Sequence, residues 1–298
     1  MQKQSQNILF IGIGKMGLPM ARHLHAQGFS VQVSDPDTSR LSLAQVEGIK
    51  VSKEITQDIK QADWIISSLP NDNVLLQVAK LLQLHMNSSA CYIDTSTVSL
   101  KASEEVLNLI GPTGAAYLRV AVSGNNHMAE LATLTMLCSG PKDYFDKAQP
   151  LIKNWGPHVF YLGEAEQARL MKLVVNLLIA QTSAMLAEGL TLGRLGGLDW
   201  ETMWQVLTSS AVGSPIMKAK AQQLGKPLGE RDFSPTFTVH QMLKDISLIT
   251  SAADQLGAKL LQTEMTKNLM EKAVIEGEGM SDYATIIRVL ERQVALGE

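Results

Sequence analysis

The run Ile8-Leu9-Phe10-Ile11-Gly12-Ile13-Gly14-Lys15-Met16-Gly17 constrains this chain more than any other stretch. Four apolar residues predict a buried strand, G-x-G-x-x-G predicts a tight turn, and the residues that follow open a helical pattern. Gly12 permits the turn, Gly14 lets the backbone approach a pyrophosphate, and Gly17 allows the helix to pack closely on the strand. The helix N-terminus then offers free N–H groups to an anion. Ile13, Lys15 and Met16 supply the intervening backbone of this cofactor turn. Asp35 follows at the end of the next candidate strand, 23 residues after Gly12. A carboxylate there accepts hydrogen bonds from the adenosine ribose hydroxyls and repels a 2′-phosphate, which favours NAD over NADP. Arg40 would upset that preference if it reached a 2′-phosphate, although its plainer reading is a solvated helix residue.

Further strands are predicted at Val31–Ser34, Trp64–Leu69, Tyr92–Asp94, Tyr117–Val122 and Leu134–Cys138, with the first at Ile8–Ile13. Helical patterns such as Met16–Gln27 and Asn73–Leu84 alternate with them. This order predicts a doubly wound, mostly parallel sheet with helices on both faces. From Glu164 to Gly196 the apolar residues recur at helical spacing, and Gly196-Gly197 supplies a stop. The remainder reads as helices at Asp199–Ser209, Pro215–Leu224, Thr238–Leu256, Leu260–Glu276 and Asp282–Ala295. The expected organisation is an NAD-binding Rossmann domain over 1–163 and an all-α substrate and dimerisation domain over 164–298. A long interdomain helix at about 165–195 joins them.

Composition removes several classes of function. A net charge of −3 on 298 residues argues against a nucleic-acid binder. Cys91 and Cys138 lie 47 residues apart, so they form neither a CxxC pair nor a disulfide framework. The six histidines show no metal-ligand spacing, and no metal site is expected. The 14 methionines read as core filler. The polar start Met1–Asn7 and the glycines that break the following apolar run do not resemble a signal peptide. The uncharged stretch Leu173–Ala187 contains Asn176, Gln181, Thr182 and Ser183, which makes it short and polar for a span of ~20 residues. A cytoplasmic protein without membrane partners is expected.

The longer string Phe10-Ile-Gly-Ile-Gly-Lys-Met-Gly-Leu-Pro-Met-Ala21 resembles the N-terminal signature of the β-hydroxyacid dehydrogenases. That family includes 3-hydroxyisobutyrate, tartronate semialdehyde and 6-phosphogluconate dehydrogenases. Leu69-Pro70 resembles its cofactor-contacting Leu-Pro. Asp94-Thr95-Ser96-Thr97 resembles its Asp-x-Ser-Thr, whose last threonine approaches the nicotinamide half of the cofactor. Val122-Ser123-Gly124 is similar to the substrate loop, Lys172 and Asn176 to the catalytic helix, and Lys244-Asp245 to a late Lys-Asp pair. The departures cluster in the substrate loop. The usual Asp-Ala-Pro-Val-Ser-Gly-Gly reads Arg119-Val-Ala-Val-Ser-Gly-Asn125, and Gly-Thr-Leu reads Ala132-Thr-Leu134. Leu100 stands where proline is common, and Val175 where a second asparagine precedes Asn176.

Alcohol oxidation by NAD needs a base for the hydroxyl proton, and the reverse reduction needs an acid. A lysine does either once burial and positive neighbours lower its pKa from ~10.4 toward neutrality. The resemblance assigns that role to Lys172. Asn176, one turn on along the same helical face, orients the substrate or the amine. Ser123, Gly124 and Asn125 hold a substrate carboxylate, with Lys244 reaching the substrate or the cofactor from the second half so that both domains close one site. Asp245 reads as structural, and Arg119 as a surface or interdomain ion pair.

The resulting expectation is an NAD-dependent oxidoreductase, with NADP as the alternative cofactor. It would interconvert a short 3-hydroxy acid and its semialdehyde or keto acid, as a homodimer or homotetramer. Two other readings stay open: an imine-reductase-like enzyme, against which Lys172 counts, and a non-catalytic NAD(P)-binding scaffold.

Overall fold

The computed structural model describes residues 6–227 and 229–294, in two compact units, Met1–Lys172 and Leu173–Glu298. Residues 1–5 of the polar start Met1–Asn7 and the predicted helix end at Ala295 lie outside the described residues.

Unit 1 is built on an eight-stranded sheet. Its strands are β1 (Asn7–Ile11), β2 (Ser30–Ser34), β3 (Lys50–Val51), β4 (Trp64–Ser67), β5 (Cys91–Asp94), β6 (Ala116–Ser123), β7 (Thr135–Ser139) and β8 (His158–Tyr161), in the order β3-β2-β1-β4-β5-β6-β7-β8. Helices α1 (Gly17–Ala26), α2 (Thr38–Val46), α3 (Ile55–Gln61), α4 (Asp72–His85), α5 (Leu100–Ile110), α6 (Asn126–Glu130) and α7 (Lys142–Ile152) lie between them. Successive strand residues point to opposite faces. Ile8 and Phe10 therefore join one core with Val33, Ile66, Phe145 and Trp155, while Leu9 joins another with Ile65, Leu75 and Val106. Side-chain caps start several helices: Asp37 before α2, Asn71 before α4 and Ser99 before α5.

Strands β3 and β8 were not legible as apolar runs. β3 has two residues, and β8 alternates exposed and half-buried positions at the sheet edge. Strands β1 to β6 pair in parallel, but β6 and β7 are antiparallel. The eight-residue β6 pairs with β5 through Ala116–Arg119 and with β7 through Arg119–Ser123. β7 and β8 therefore lie beyond the carboxyl end of β5. They run back toward it, and Ser139 finishes level with Arg119, itself level with Asp94.

Helix α8 (Gln167–Leu195) is continuous, and the division between units falls within it after Lys172. Its first turns pack on unit 1, which moves the division nine residues past the predicted boundary at 163. The remaining helices of unit 2 are α9 (Trp200–Ser209), α10 (Pro215–Ala219), α11 (Ala221–Leu224), α12 (Val239–Leu256), α13 (Leu261–Ile275) and α14 (Ile286–Gln293), and no strand occurs among its described residues. The helix predicted over Pro215–Leu224 is broken at Lys220. The Lys220 ammonium donates to the Asp282 carboxylate at 2.6 Å and to the Thr236 hydroxyl at 3.2 Å. Among the described residues, α8 alone is long and apolar enough to cross a membrane by length and composition. Its Ala180, Leu186, Ala187 and Leu190 are buried in the core of unit 2 with Met242, Ile246, Met270 and Ile287.

Candidate active site

The sheet order reverses direction at β1, which has β2 on one side and β4 on the other. Loops leaving the carboxyl ends of β1 and β4 diverge there, and such switch points open the crevice where doubly wound proteins bind ligands. The predicted cofactor residues leave this edge: Gly12–Gly17 after β1, Asp35 after β2, Leu69-Pro70 after β4 and Thr97 after β5. β6 is parallel to β5, so Ser123, Gly124 and Asn125 emerge from the same edge.

The three glycines of the turn are needed for different reasons. Gly12 adopts φ +85°, and a Cβ there would lie 2.5 Å from the Ser68 carbonyl oxygen; a Cβ on Gly17 would lie 2.0 Å from the Gly12 carbonyl oxygen. Both positions are closed by the protein's own backbone. A Cβ on Gly14 would meet only the Arg40 guanidinium, at 3.7 Å. The space over Gly14 is thus open, as a cradle for a pyrophosphate requires. Asp35 is buried beneath the turn, where its Oδ2 accepts from the Ile13 N–H at 2.9 Å and its Oδ1 from the Asp37 N–H at 2.9 Å. Arg40 approaches both carboxylates, Asp35 at 3.4 Å and Asp37 at 3.3 Å. It is an ion-paired side chain and not simply a solvated one.

The turns after β4 and β5 are tied together. The Leu69 N–H donates to Ser96 Oγ at 2.8 Å, and Ser96 Oγ donates to Asp94 Oδ1 at 2.5 Å. Asp94 Oδ1 also receives the Ser67 hydroxyl at 2.6 Å and the Ser96 N–H at 3.1 Å. The other carboxylate oxygen receives Arg169, whose guanidinium also donates to the Ser96 carbonyl and the Tyr117 hydroxyl. Burial, the largest single influence, would lower the Arg169 pKa, but Asp94, Tyr117 and Glu166 together outweigh it and hold the group firmly cationic. Lys172 is buried three residues later on α8.

Arg119 departs from expectation. Its side chain is 1% exposed and pairs with Glu166 within unit 1, so it is neither a surface ion pair nor a substrate ligand. The contact with Glu166 is charge to charge without hydrogen-bond alignment. Arg119 also donates to Ser103 Oγ at 3.3 Å and stacks over the Tyr117 ring at 4.6 Å. Ser139 Oγ donates to the Ala165 carbonyl at 2.6 Å and accepts from the Ala168 N–H at 3.2 Å. Sequence reasoning overlooked Glu166, Arg169 and Ser139. The available signal was two opposite charges, Glu166 and Arg169, just ahead of Lys172 where a long, mostly apolar helix begins.

In the loop after β6, Gly124 adopts φ +142°, and a Cβ there would sit 2.6 Å from Leu134. Asn125 caps α6, with its Oδ1 accepting from the Met128 N–H at 3.0 Å. This leaves the Asn125 amide nitrogen, not its oxygen, for another partner. The loop is fixed to α1 by Arg22, which pairs with Glu130 and with Glu47, and by His23 Nε2, which donates to the Ala129 carbonyl at 2.9 Å.

Unit 2 holds the rest of the predicted set. Asn176 Nδ2 donates to Asp245 Oδ2 at 2.5 Å, in the core of that unit. A carboxylate only accepts, so Asp245 dictates which end of the Asn176 amide is nitrogen. Lys244 Nζ lies 3.1 Å from Asp245 Oδ1, in a charge contact without hydrogen-bond alignment.

Comparison with known proteins agrees with this layout. A family described as the NAD binding domain of 6-phosphogluconate dehydrogenase matches residues 7–163. One described as NAD-binding of NADP-dependent 3-hydroxyisobutyrate dehydrogenase matches residues 167–290. The chain is 29% identical to 2-(hydroxymethyl)glutarate dehydrogenase of Eubacterium barkeri, over 99% of this chain and 98% of that protein. A structure of Mycobacterium tuberculosis 3-hydroxyisobutyrate dehydrogenase with L-serine superposes with a TM-score of 0.88 at 25% identity, covering 96% of this chain and 99% of that one. An imine reductase from Pseudomonas sp. shares the fold at a TM-score of 0.62 and 19% identity, covering 96% of this chain and 100% of that one. The chain belongs to the β-hydroxyacid dehydrogenase family of oxidoreductases and takes NAD(P) as its cofactor.

Proposed function

We propose that the protein interconverts a short 3-hydroxy acid and its semialdehyde or keto acid, with NAD as the preferred cofactor and Lys172 as general acid and base. When bound, the nicotinamide supplies the hydride acceptor or donor. The observation that carries this reading is the start of α8. The backward run of β7 and β8 brings it to the carboxyl end of β5, where Arg169, three residues before Lys172, grips the turn that contains Thr97. Lys172 removes the hydroxyl proton in oxidation and returns it in reduction. Ser123, Gly124 and the Asn125 amide nitrogen take the substrate carboxylate, with Lys244 as a further cationic partner. Asn176, one turn after Lys172 on α8, orients the substrate, its amide set by Asp245. The buried Asp35 carboxylate favours the ribose diol over a 2′-phosphate.

Oligomerisation is part of the proposal. Met171, Leu178, Met185 and Leu192 recur every seven residues on α8 and are all exposed, a seam suited to a second copy of the chain. Light scattering that returned a monomer would remove this element.

The test is a set of initial rates with NAD and NADP over 3-hydroxyisobutyrate, 3-hydroxypropionate, glycerate and doubly acidic analogues, for wild type and Lys172→Ala. Turnover with NAD that falls by ~10²-fold or more in the variant is expected, since general acid–base catalysis is worth roughly 10²–10⁴. A wild type that binds NAD but oxidises none of these acids would hand the site to imine reduction or to a non-catalytic role.

A further inference from the structure

The start of α8 is bound to the sheet by more buried charge than the end of a helix requires. Ser139 already satisfies the Ala165 carbonyl and the Ala168 N–H. Around it Asp94, Arg119 and Arg169 are all nearly or fully buried, and Glu166 is largely so. Replacing such a cluster with well-packed apolar residues is commonly neutral or stabilising, so stability alone is a weak reason for it. Its connections give a better one. One prong of the Arg169 fork grips the Ser96 backbone carbonyl and the other the Asp94 carboxylate. Asp94 holds Ser67 and Ser96, and Ser96 holds the Leu69 N–H. A single guanidinium therefore joins α8 to both turns assigned to the cofactor, Leu69-Pro70 and Thr97. Lys172 stands three residues further along α8, so the anchor and the assigned acid–base group occupy adjacent turns of one helical face.

We propose that Arg169 is a positioning residue that sets Lys172 against the Thr97 turn by clamping α8 to Asp94 and to the Ser96 carbonyl. This rests on Lys172 as the proton-transfer group. A lysine at position 169 would supply a point charge but not the planar fork that grips backbone and carboxylate together.

The test compares wild type with Arg169→Lys, the double variant Asp94→Asn/Arg169→Met, and Lys172→Met. Arg169→Met alone leaves Asp94 as a buried unpaired anion and is liable to misfold. The double variant removes both charges, while the asparagine oxygen can still accept from Ser67 and Ser96. Its melting temperature is expected near that of wild type, with kcat lower by ~10²-fold and KM within about threefold, the signature of lost alignment rather than lost binding. Backbone hydrogen exchange is expected to quicken by roughly tenfold or more at residues 95–97 and 168–172 and to stay unchanged elsewhere in the sheet. Arg169→Lys should fall between the two. Wild-type exchange in both segments would overturn the proposal whatever the rates. A fully active double variant beside an inactive Lys172→Met would overturn it alone. Full activity in Lys172→Met would instead overturn the assignment of Lys172 and leave the clamp to be judged by exchange.

Discussion

The glycine turn after β1 and the start of α8 serve the same edge of one sheet and are built in opposite ways. The turn works by omission: side chains are absent where backbone must come close, and the space over Gly14 is open. The start of α8 works by cross-linking, with Arg169 joined to Asp94, the Ser96 carbonyl and Tyr117 by hydrogen bonds out of solvent, while its Nε stays without a hydrogen-bond partner. A surface that must receive a pyrophosphate keeps its N–H groups available. A helix that must hold a reacting group in place is tied to its neighbours by side chains. The sharpest way to break this contrast uses two glycines of the same turn. Gly17→Ala places a Cβ 2.0 Å from the Gly12 carbonyl oxygen. It should cost about 3 kcal/mol, or roughly 6–12 °C in Tm. Gly14→Ala meets nothing nearer than 3.7 Å, so its melting curve should match wild type. Its NADH affinity, read by fluorescence titration, should fall by roughly 10- to 100-fold because the dinucleotide loses its close approach. A Gly14→Ala variant that melted as low as Gly17→Ala and kept wild-type NADH affinity would show that Gly14, too, serves only the fold.

The cross-linked region should also be the one that alkali attacks. Tyr92 and Tyr117 stack with ring centroids 5.4 Å apart and are fully buried. Burial pushes both phenols above their ordinary value of 10.0, and the Asp94 charge adds to the rise. The folded chain therefore keeps these protons at a pH where the unfolded chain releases them. The stability that these two phenols contribute is fully present below about pH 10 and is lost as pH climbs through the raised values. Tyr283 in unit 2 is raised by burial in the same way, while Lys220, lowered by burial, works in the opposite sense. The useful readout is thus a difference: above pH 10, Tm should fall less steeply in Tyr92→Phe than in wild type. Parallel slopes would mean that the Tyr92 proton is not linked to unfolding.

The same contrast explains what the sequence disclosed. The turn is local, since strand, glycine spacing and Asp35 fall within 28 residues, and short-range chain geometry ties them together. The order of strands and helices in unit 1 was legible for the same reason. The clamp is not local. Arg169 meets Asp94 across 75 residues and Arg119 meets Glu166 across 47, and only the antiparallel turn-back of β7 brings them level. No periodicity announces that reversal. Arg119 thus reads in sequence as a surface or interdomain ion pair, although its strand position on β6 aims it at Ser103 and the Tyr117 ring. The break at Lys220 was hidden likewise, because its partner Asp282 lies 62 residues away.

Asn125 stands between the two regimes and yields the smallest and most discriminating prediction. Its oxygen saturates the Met128 N–H and starts α6, as a side chain of the clamp would; its amide nitrogen is left for a ligand, as in the turn. Glycine is the usual residue here in the family and is itself a tolerable N-cap. Asn125→Gly should therefore lose only a few tenths of a kcal/mol, and Asn125→Ala about 1 kcal/mol. If the amide nitrogen binds the substrate carboxylate, both variants should raise KM alike, by ~10-fold or more for one lost hydrogen bond to a charged group. If Asn125 is only a cap, KM in Asn125→Gly stays at the wild-type value, and the departure from the family's loop reflects the start of α6 and not the choice of substrate.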